Sequence, residues 1–362
     1  MIDVNRDLWT YLKEQTSLGR PVVLYGTGNG ADKIIKQLEL RGIMISGVFA
    51  SPGFVRSRDF AGFKVTSFEE ALSSFGSDMI ILMCFGSSRP EVLEYVRYLR
   101  SKCEFYAPDV PVYGTNLFDL AFYRENLESI DKVRSLLEDP LSVKTFDDTI
   151  LYKLTGDVSY LEDCEVSQAE ADGVLDFKAI HGAYIDLGAY NGDTLKQYTS
   201  LFPGITETVA VEPDPASFRK LKRNTAGIAS EIKTTYVNAM IYEKSGTAFT
   251  DKNAGRGVHI KSAGDTEVAT CTIDELCSGK SPAFIKFDVE GAEAAALRGG
   301  EETIKKFTPA MCVACYHRSE DIFALALQVK DINPRYRIYL RHTPSVPCWD
   351  TSFYFVPDAS SF

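Results

Sequence analysis

Two hydrophobic patterns alternate along this chain: continuous apolar runs short enough to be buried strands, and longer stretches with apolar residues at helical spacing. In the second half, Ala183 to Leu187, Thr208 to Val211, Thr235 to Met240, Ala283 to Phe287 and Ala310 to Tyr316 predict strands. Pro215 to Ala226, Ala292 to Phe307 and Glu320 to Ile332 predict helices between them. Arg335 to His342 and Ser352 to Val356 alternate apolar and polar residues and predict a closing antiparallel hairpin, which brings the strands to seven. Such alternation predicts an α/β fold, a doubly wound and mostly parallel sheet with helices on both faces.

The first half repeats the alternation on a smaller scale. PVVLYGTGNG, Pro21 to Gly30, is an apolar run followed by a glycine turn, and the helix Asp32 to Arg41 comes next. Ile45 to Phe49 and Asp78 to Phe85 predict further strands, the second followed by the helix Pro90 to Arg100. Residues 1–120 therefore read as a smaller Rossmann-like α/β domain, 121–180 as a helical connector and 181–362 as the seven-stranded domain. In the connector region, Phe118 to Asp139 and Phe146 to Leu154 keep helical spacing with an interruption at Pro140. The acidic stretch Glu162 to Asp176 reads as solvated surface.

Candidate chemistry concentrates in AYIDLGAYNGDTL, Ala183 to Leu195. Asp186 ends the strand, Gly188 and Gly192 free the backbone to turn, and Asp193 and Thr194 start a helix. Glu212 follows the strand Thr208 to Val211, where a carboxylate accepts both hydroxyls of a ribose. A dinucleotide site requires G-x-G-x-x-G and bare N–H groups for a pyrophosphate. The spacing Gly188-Ala189-Tyr190-Asn191-Gly192 differs, and the acids Asp186 and Asp193 repel a pyrophosphate while suiting the sulfonium and ammonium of S-adenosylmethionine. Asp186 and the backbone from Gly188 through Tyr190 to Gly192 are then expected around the methionine part, with Thr194 beside them. Asn238 and Ala239 are expected at the adenine. In the first half, Gly26, Gly28 and Ala31 match G-x-G-x-x-A, yet Ala50 and Ser51 stand where a dinucleotide ribose requires an acid, and Arg56 and Arg58 lie just beyond. That turn reads either as recognition of a nucleotide-linked or phosphorylated acceptor, or as a nucleotide fold used for packing or dimerisation.

AYIDLGAYNGDTL, AVEPDPASFRKLKRN, TCTIDEL and IKFDVEGAEAAALRGG, with DDTILYKLTGDVSYL upstream, resemble the FkbM-type S-adenosylmethionine-dependent methyltransferases. The likeness covers about half the chain, and IKFDVEGAE, Ile285 to Glu293, is its more specific part. It implies a class I methyltransferase fold and methyl transfer, usually to oxygen, on sugars, polyketides or related glycan precursors. Tyr190 stands where many methyltransferases have another glycine, so its ring is expected beside the cofactor. Methyl transfer to a hydroxyl requires aligning the acceptor oxygen, lowering its proton affinity and excluding water. Asp288 and Glu290, at the tip of the strand Ala283 to Phe287, and His317, ending the adjoining strand, are the catalytic candidates. His317 titrates nearest neutrality and suits a general base, or is a structural hydrogen-bonder. Asp288 or Glu290 would orient the hydroxyl, or offer oxygen ligands to a divalent metal, although no metal is assigned. Glu293 is expected to support the helix start, and Arg341, His342 and Trp349 to overhang the acceptor from a surface loop. His259 receives no role. The rival readings are a non-catalytic nucleotide or nucleotide-sugar binding module, and an NAD-linked oxidoreductase using Gly26 and Gly28.

Composition narrows the partners. A formal net charge of −11, from 39 basic and 50 acidic side chains, argues against nucleic acid and leaves a small-molecule or sugar-linked acceptor. No apolar run approaches the roughly 18–20 residues of a membrane span, and MIDVNRDLW lacks signal-peptide character, so a cytoplasmic location is expected. A homodimer through the first domain is a further expectation. The eight cysteines read as free thiols, and Cys312 and Cys315 form a C-x-x-C whose members face opposite sides of a strand, with no second pair to complete a zinc set.

Overall fold

A computed structural model describes residues 4–55, 59–250 and 266–358. Arg56, Arg58 and His259 lie outside the described residues. In the first half, β1 (Val22–Tyr25), β2 (Gly47–Phe49), β3 (Asp59–Phe60), β4 (Phe63–Thr66), β5 (Ile80–Met83) and β6 (Glu104–Tyr106) form one sheet in the order β3-β4-β2-β1-β5-β6. Its pairings are parallel except between β3 and β4. Every residue of β1 and β5 is buried, as central parallel strands covered on both faces require. The short strands β3, β4 and β6 carry polar residues and gave no apolar run to read.

The second half forms the seven-stranded sheet. Its strands are β7 (His181–Leu187), β8 (Gly204–Val211) and β9 (Lys233–Val237), then β13 (Pro282–Phe287), β14 (Ala310–Ala314), β15 (Tyr336–His342) and β16 (Thr351–Pro357). Between them β10 (Met240–Ile241), β11 (Gly246–Thr250) and β12 (Thr266–Cys271) make a separate small sheet. The large sheet runs β15-β16-β14-β13-β7-β8-β9, with β16 antiparallel to both neighbours and the other pairings parallel. The fold is therefore α/β, and the closing hairpin is antiparallel as expected.

Two expected elements are divided. Thr235 to Met240 is not one strand: Asn238 Nδ2 donates to the carbonyls of Glu212 and Pro213, and the chain leaves the large sheet there to pair β10 with β12. Ala292 to Phe307 is two helices, Glu293–Arg298 and Glu301–Phe307. They separate at Gly299 and Gly300, where added Cβ atoms would lie 2.3 Å from the Tyr242 carbonyl oxygen and 2.9 Å from Ile273 Cβ.

Pro140 does not interrupt a helix but begins one, Pro140–Thr155, capped by Asp139 accepting from the Ser142 N–H. Phe146, Ile150 and Leu154 of this helix belong to the core of the seven-stranded sheet, and Tyr152 to that of the six-stranded sheet. Lys153 forms a buried ion pair with Asp109 at 2.9 Å. The segment between β15 and β16 also crosses over: Ser87 and Val346 exchange two backbone hydrogen bonds, and Val346 and Cys348 enter the six-stranded core. The acidic stretch is not wholly solvated, because Asp172 is buried and accepts from Gln168, Gln197, Tyr198 and Tyr354. All eight cysteines are free thiols, and Cys312 and Cys315 enter cores on opposite faces of the sheet. Among the described residues, no helix is long and apolar enough to cross a membrane.

Candidate active site

The carboxyl ends of β7, β8, β13 and β14 open on a cleft of about 1180 Å³, which is also lined by Asn29 and Lys33 from the helix after β1 and by Gly86 to Arg89 from the segment after β5 of the six-stranded sheet. At the start of the β7 turn, Gly188 has φ +81°, and a Cβ there would lie 1.9 Å from the Asp288 carbonyl oxygen. Glycine is thus required for the two strand tips to cross. Gly192 has φ +86° and its hydrogen-bearing face abuts Thr225, 2.3 Å from where a Cβ would stand. Between them Tyr190 takes a left-handed backbone, φ +43°, and its N–H donates to Glu212 Oε2 at 2.9 Å.

Glu212 accepts from the Asp214 N–H through its other oxygen, at 2.8 Å. Its burial pushes the carboxyl up to about 7 despite these two donors. Asp186 is fully buried, accepts from Thr194 Oγ1 at 2.8 Å through Oδ2, and has no hydrogen-bond partner for Oδ1 among the described residues. Burial raises it to about 6, opposed by the charge of Lys286, which stands opposite it in the β7–β13 register.

The second half of the site forms around His317, which is buried. Its Nδ1 lies 2.9 Å from Glu293 Oε1, and its Nε2 lies 3.5 Å from Asp288 and 3.6 Å from Glu290. Burial by itself would depress the imidazolium, but the carboxylates of Glu293, Asp288 and Glu290 override it and raise the pKa to about 9. Asp288 also accepts from Lys286 Nζ at 3.2 Å and from the Tyr316 hydroxyl at 3.0 Å. Burial works to raise its pKa, yet Lys286 and His317 hold it below the usual carboxylate value. Glu290, like Tyr190, has a left-handed backbone, φ +54°, in the turn that presents it. Asp288, Glu293 and His317 bring one ligand-type atom each within 4.8 Å of one another, although the Lys286 ammonium already neutralises Asp288.

Of the residues expected from sequence, Gly188, Tyr190, Thr194, Glu212, Ala239, Asp288, Glu290 and His317 line this cleft. Asp186 and Gly192 stand behind the lining, supporting Thr194 and the turn. Asn238 is not brought to it; its amide is spent on the two carbonyls that end β8.

Comparisons with known proteins bear on the family and the fold. The family model for the methyltransferase FkbM domain matches residues 186–338. That segment is an FkbM-type methyltransferase domain. The chain is similar in fold to a crystal structure of methyltransferase FkbM from Methylobacillus flagellatus, at 19% identity and TM-score 0.70, covering 96% of this chain and 98% of that one. Weaker likenesses include Aeropyrum pernix fibrillarin with bound S-adenosyl-L-methionine, at 14% identity, TM-score 0.33 and coverage of 52% and 74%. Another is the precorrin-6y C5,15-methyltransferase of Geobacter metallireducens, at 10%, 0.32, 48% and 78%. No curated relative matches the chain at the sequence level.

Around this cleft, sequence reasoning missed Lys286, Tyr316 and Asp350. A lysine inside the otherwise apolar strand PAFIKF was the available signal for Lys286. Asp350 also lines the cleft, and burial together with the Asp288 charge raises its carboxyl pKa. Glu293, expected only to support a helix start, does accept the Val289 N–H at 2.9 Å but is also the buried partner of His317. His342 is not a surface residue: it is buried, bonded to Thr351 at 2.9 Å, and lowered to about 4 by burial. Arg341 lines the cleft but is held by Asp139 at 2.6 Å and by Ser142 at 2.8 Å.

Proposed function

We propose that this chain transfers a methyl group from S-adenosylmethionine to an oxygen of a hydroxylated acceptor, a sugar or glycan precursor. The observation that carries the cofactor reading is Glu212: the Tyr190 N–H of the glycine turn donates to one carboxylate oxygen and the Asp214 N–H to the other, which fixes both at the cleft while leaving lone pairs for ribose hydroxyls. The acids Asp193, Glu212, Asp214, Asp288, Glu290 and Asp350 line the same cleft and suit a cationic ligand. Gly188, Tyr190 and Thr194 would surround its methionine part, with Asp186 behind Thr194, and Ala239 would border the adenine. When bound, the cofactor supplies an electrophilic methyl carbon on a sulfonium.

The residues of the chain do the rest. Asp288, kept ionised by Lys286, orients the acceptor by accepting from a hydroxyl next to the one that is methylated, which leaves the reacting O–H to point at His317. Glu290 extends the carboxylate wall beside it. His317 is held by Glu293 with Nε2 toward these two groups and takes the hydroxyl proton as general base once its own resting proton has left. Calorimetric titration with S-adenosylmethionine and its demethylated product tests the cofactor site, and transfer of labelled methyl from it to hydroxylated sugars tests the activity. A chain that binds neither compound refutes the cofactor reading; one that binds both and methylates no oxygen acceptor refutes the O-directed one.

A further inference from the structure

The cleft is shared between the two sheets, and its two ends differ in charge. Among the described residues, at the end formed by the seven-stranded sheet the lining carries six carboxylates alongside Lys286, His317 and Arg341; at the six-stranded end it carries Asn29, Lys33, Gly86, Ser87, Ser88, Arg89 and Val112, with no acid. A smaller pocket of about 260 Å³, between the β1 and β5 turns, shares Asn29, Lys33, Gly86, Val112 and Trp349 with it. Lys33 is half-buried, and its ammonium donates to the neutral carbonyls of Pro111 at 2.9 Å and Val112 at 2.8 Å. Among the described residues it has no ion pair, and burial lowers its pKa with no carboxylate opposing. A cation taken part-way out of water without a counter-charge is costly unless an anion completes the site. Arg89 differs, being paired with Glu91 in the open.

Resting on the reading above, we propose that the methyl acceptor carries a phosphate or carboxylate group, which docks on Lys33, Asn29, Ser87 and Ser88 of the six-stranded sheet while its hydroxyl reaches His317. The six-stranded sheet is then the acceptor-binding wall of the enzyme. The wall is held against the catalytic turns: the Tyr113 N–H donates to the His317 carbonyl at 2.8 Å, and a Cβ at Gly291 would meet the Tyr113 ring at 2.7 Å. Trp349 packs on Gly86 in the same way, 2.3 Å from where a Cβ would stand.

The test is calorimetric titration of the full chain, saturated with S-adenosylhomocysteine, with sodium pyrophosphate and separately with malonate. Pyrophosphate binding alone assigns a phosphate-bearing acceptor and malonate alone a carboxylate, and either is expected to weaken at least tenfold in Lys33→Met with S-adenosylhomocysteine affinity unchanged. Because Lys33 also ties down Pro111 and Val112, Ser88→Asp at an exposed position supplies a second variant, and it should weaken the same anion comparably. Heat from neither anion, or binding indifferent to both substitutions, overturns the proposal. Absence of S-adenosylhomocysteine binding would instead refute the cofactor reading, and the anion titrations then proceed on the free chain with the same criteria.

Discussion

After β1 the chain turns through Gly26 to Gly30, and after β7 it turns through Gly188 to Gly192. Each turn lies where the chain builds the sheet first on one side of its strand and later on the other, β2 and then β5 beside β1, β8 and then β13 beside β7. Such switch points open the crevice in which α/β sheets bind ligands. Each also uses one glycine for the same purpose: a Cβ on Gly30 would lie 2.2 Å from the Cys84 carbonyl oxygen, just as one on Gly188 would meet that of Asp288. What separates the turns is charge. Asp186 and Glu212 flank the β7 turn and make it fit for a cation, whereas Lys33 flanks the β1 turn and Ala50 follows β2 where an acid would be expected. One backbone plan thus carries different charged side chains at its two strand tips.

The close-approach half of this comparison is broken most directly by Gly188→Ala and Gly30→Ala. Each should cost about 4 kcal/mol or more, at the extreme of single substitutions, or yield no folded chain. Gly28→Ala has open space and an unstrained backbone, and should stay within about 0.5 kcal/mol of the parent in urea unfolding. A Gly188→Ala chain with parental stability would show that the strand tips do not need to cross so closely.

Replacing the proposed base comes next in size. His317→Gln should lower kcat by roughly 10²–10⁴ with cofactor affinity preserved, as expected when a general base is lost. Parallel loss of cofactor binding would make His317 a structural residue. Glu212→Ala should instead weaken S-adenosylmethionine by about 1.5–3 kcal/mol, roughly ten- to hundredfold, the value of hydrogen bonds to a charged group. In the β1 turn no substitution should have that effect on cofactor affinity.

The smallest effects are those of pH. Glu212 and Asp186 titrate at about 7 and about 6, so cofactor affinity should fall as pH drops through that range, and Glu212→Gln should flatten the upper part of the curve. His317 acts in the other direction on stability. Its folded pKa of about 9 lies above its ordinary 6.5, so its contribution is complete below pH 6.5 and is lost as pH rises through 9. Urea midpoints at pH 6.5 and 9.5 should differ less in His317→Gln than in the parent. Turnover should rise toward pH 9 as the resting proton leaves.

Much of the molecule was legible because strands and helices announce themselves by period. The apolar runs located all seven strands of the large sheet to within a few residues, and the glycine turn and the acids at 186, 212, 288 and 290 were placed by being at strand ends. The failures share a cause. Thr235 to Met240 looked continuous because the side-chain bonds of Asn238 to distant carbonyls have no period. Ala292 to Phe307 looked like one helix because the carbonyl that crowds Gly299 comes from Tyr242, far away in sequence. His342 looked exposed because the segment after it runs back into the core of the other sheet.

By itself the sequence determined the α/β alternation, the two glycine turns and the sign of charge at each strand tip, since these depend on neighbours along the chain. Tertiary structure decided which groups share a site. It set Lys286 beside Asp186 through strand register, closed Glu293 against His317, and brought Lys33 to the far wall of the FkbM cleft. Those pairings depend on how distant segments close on one another, and burial then sets the proton affinities that a list of residues leaves at their solution values.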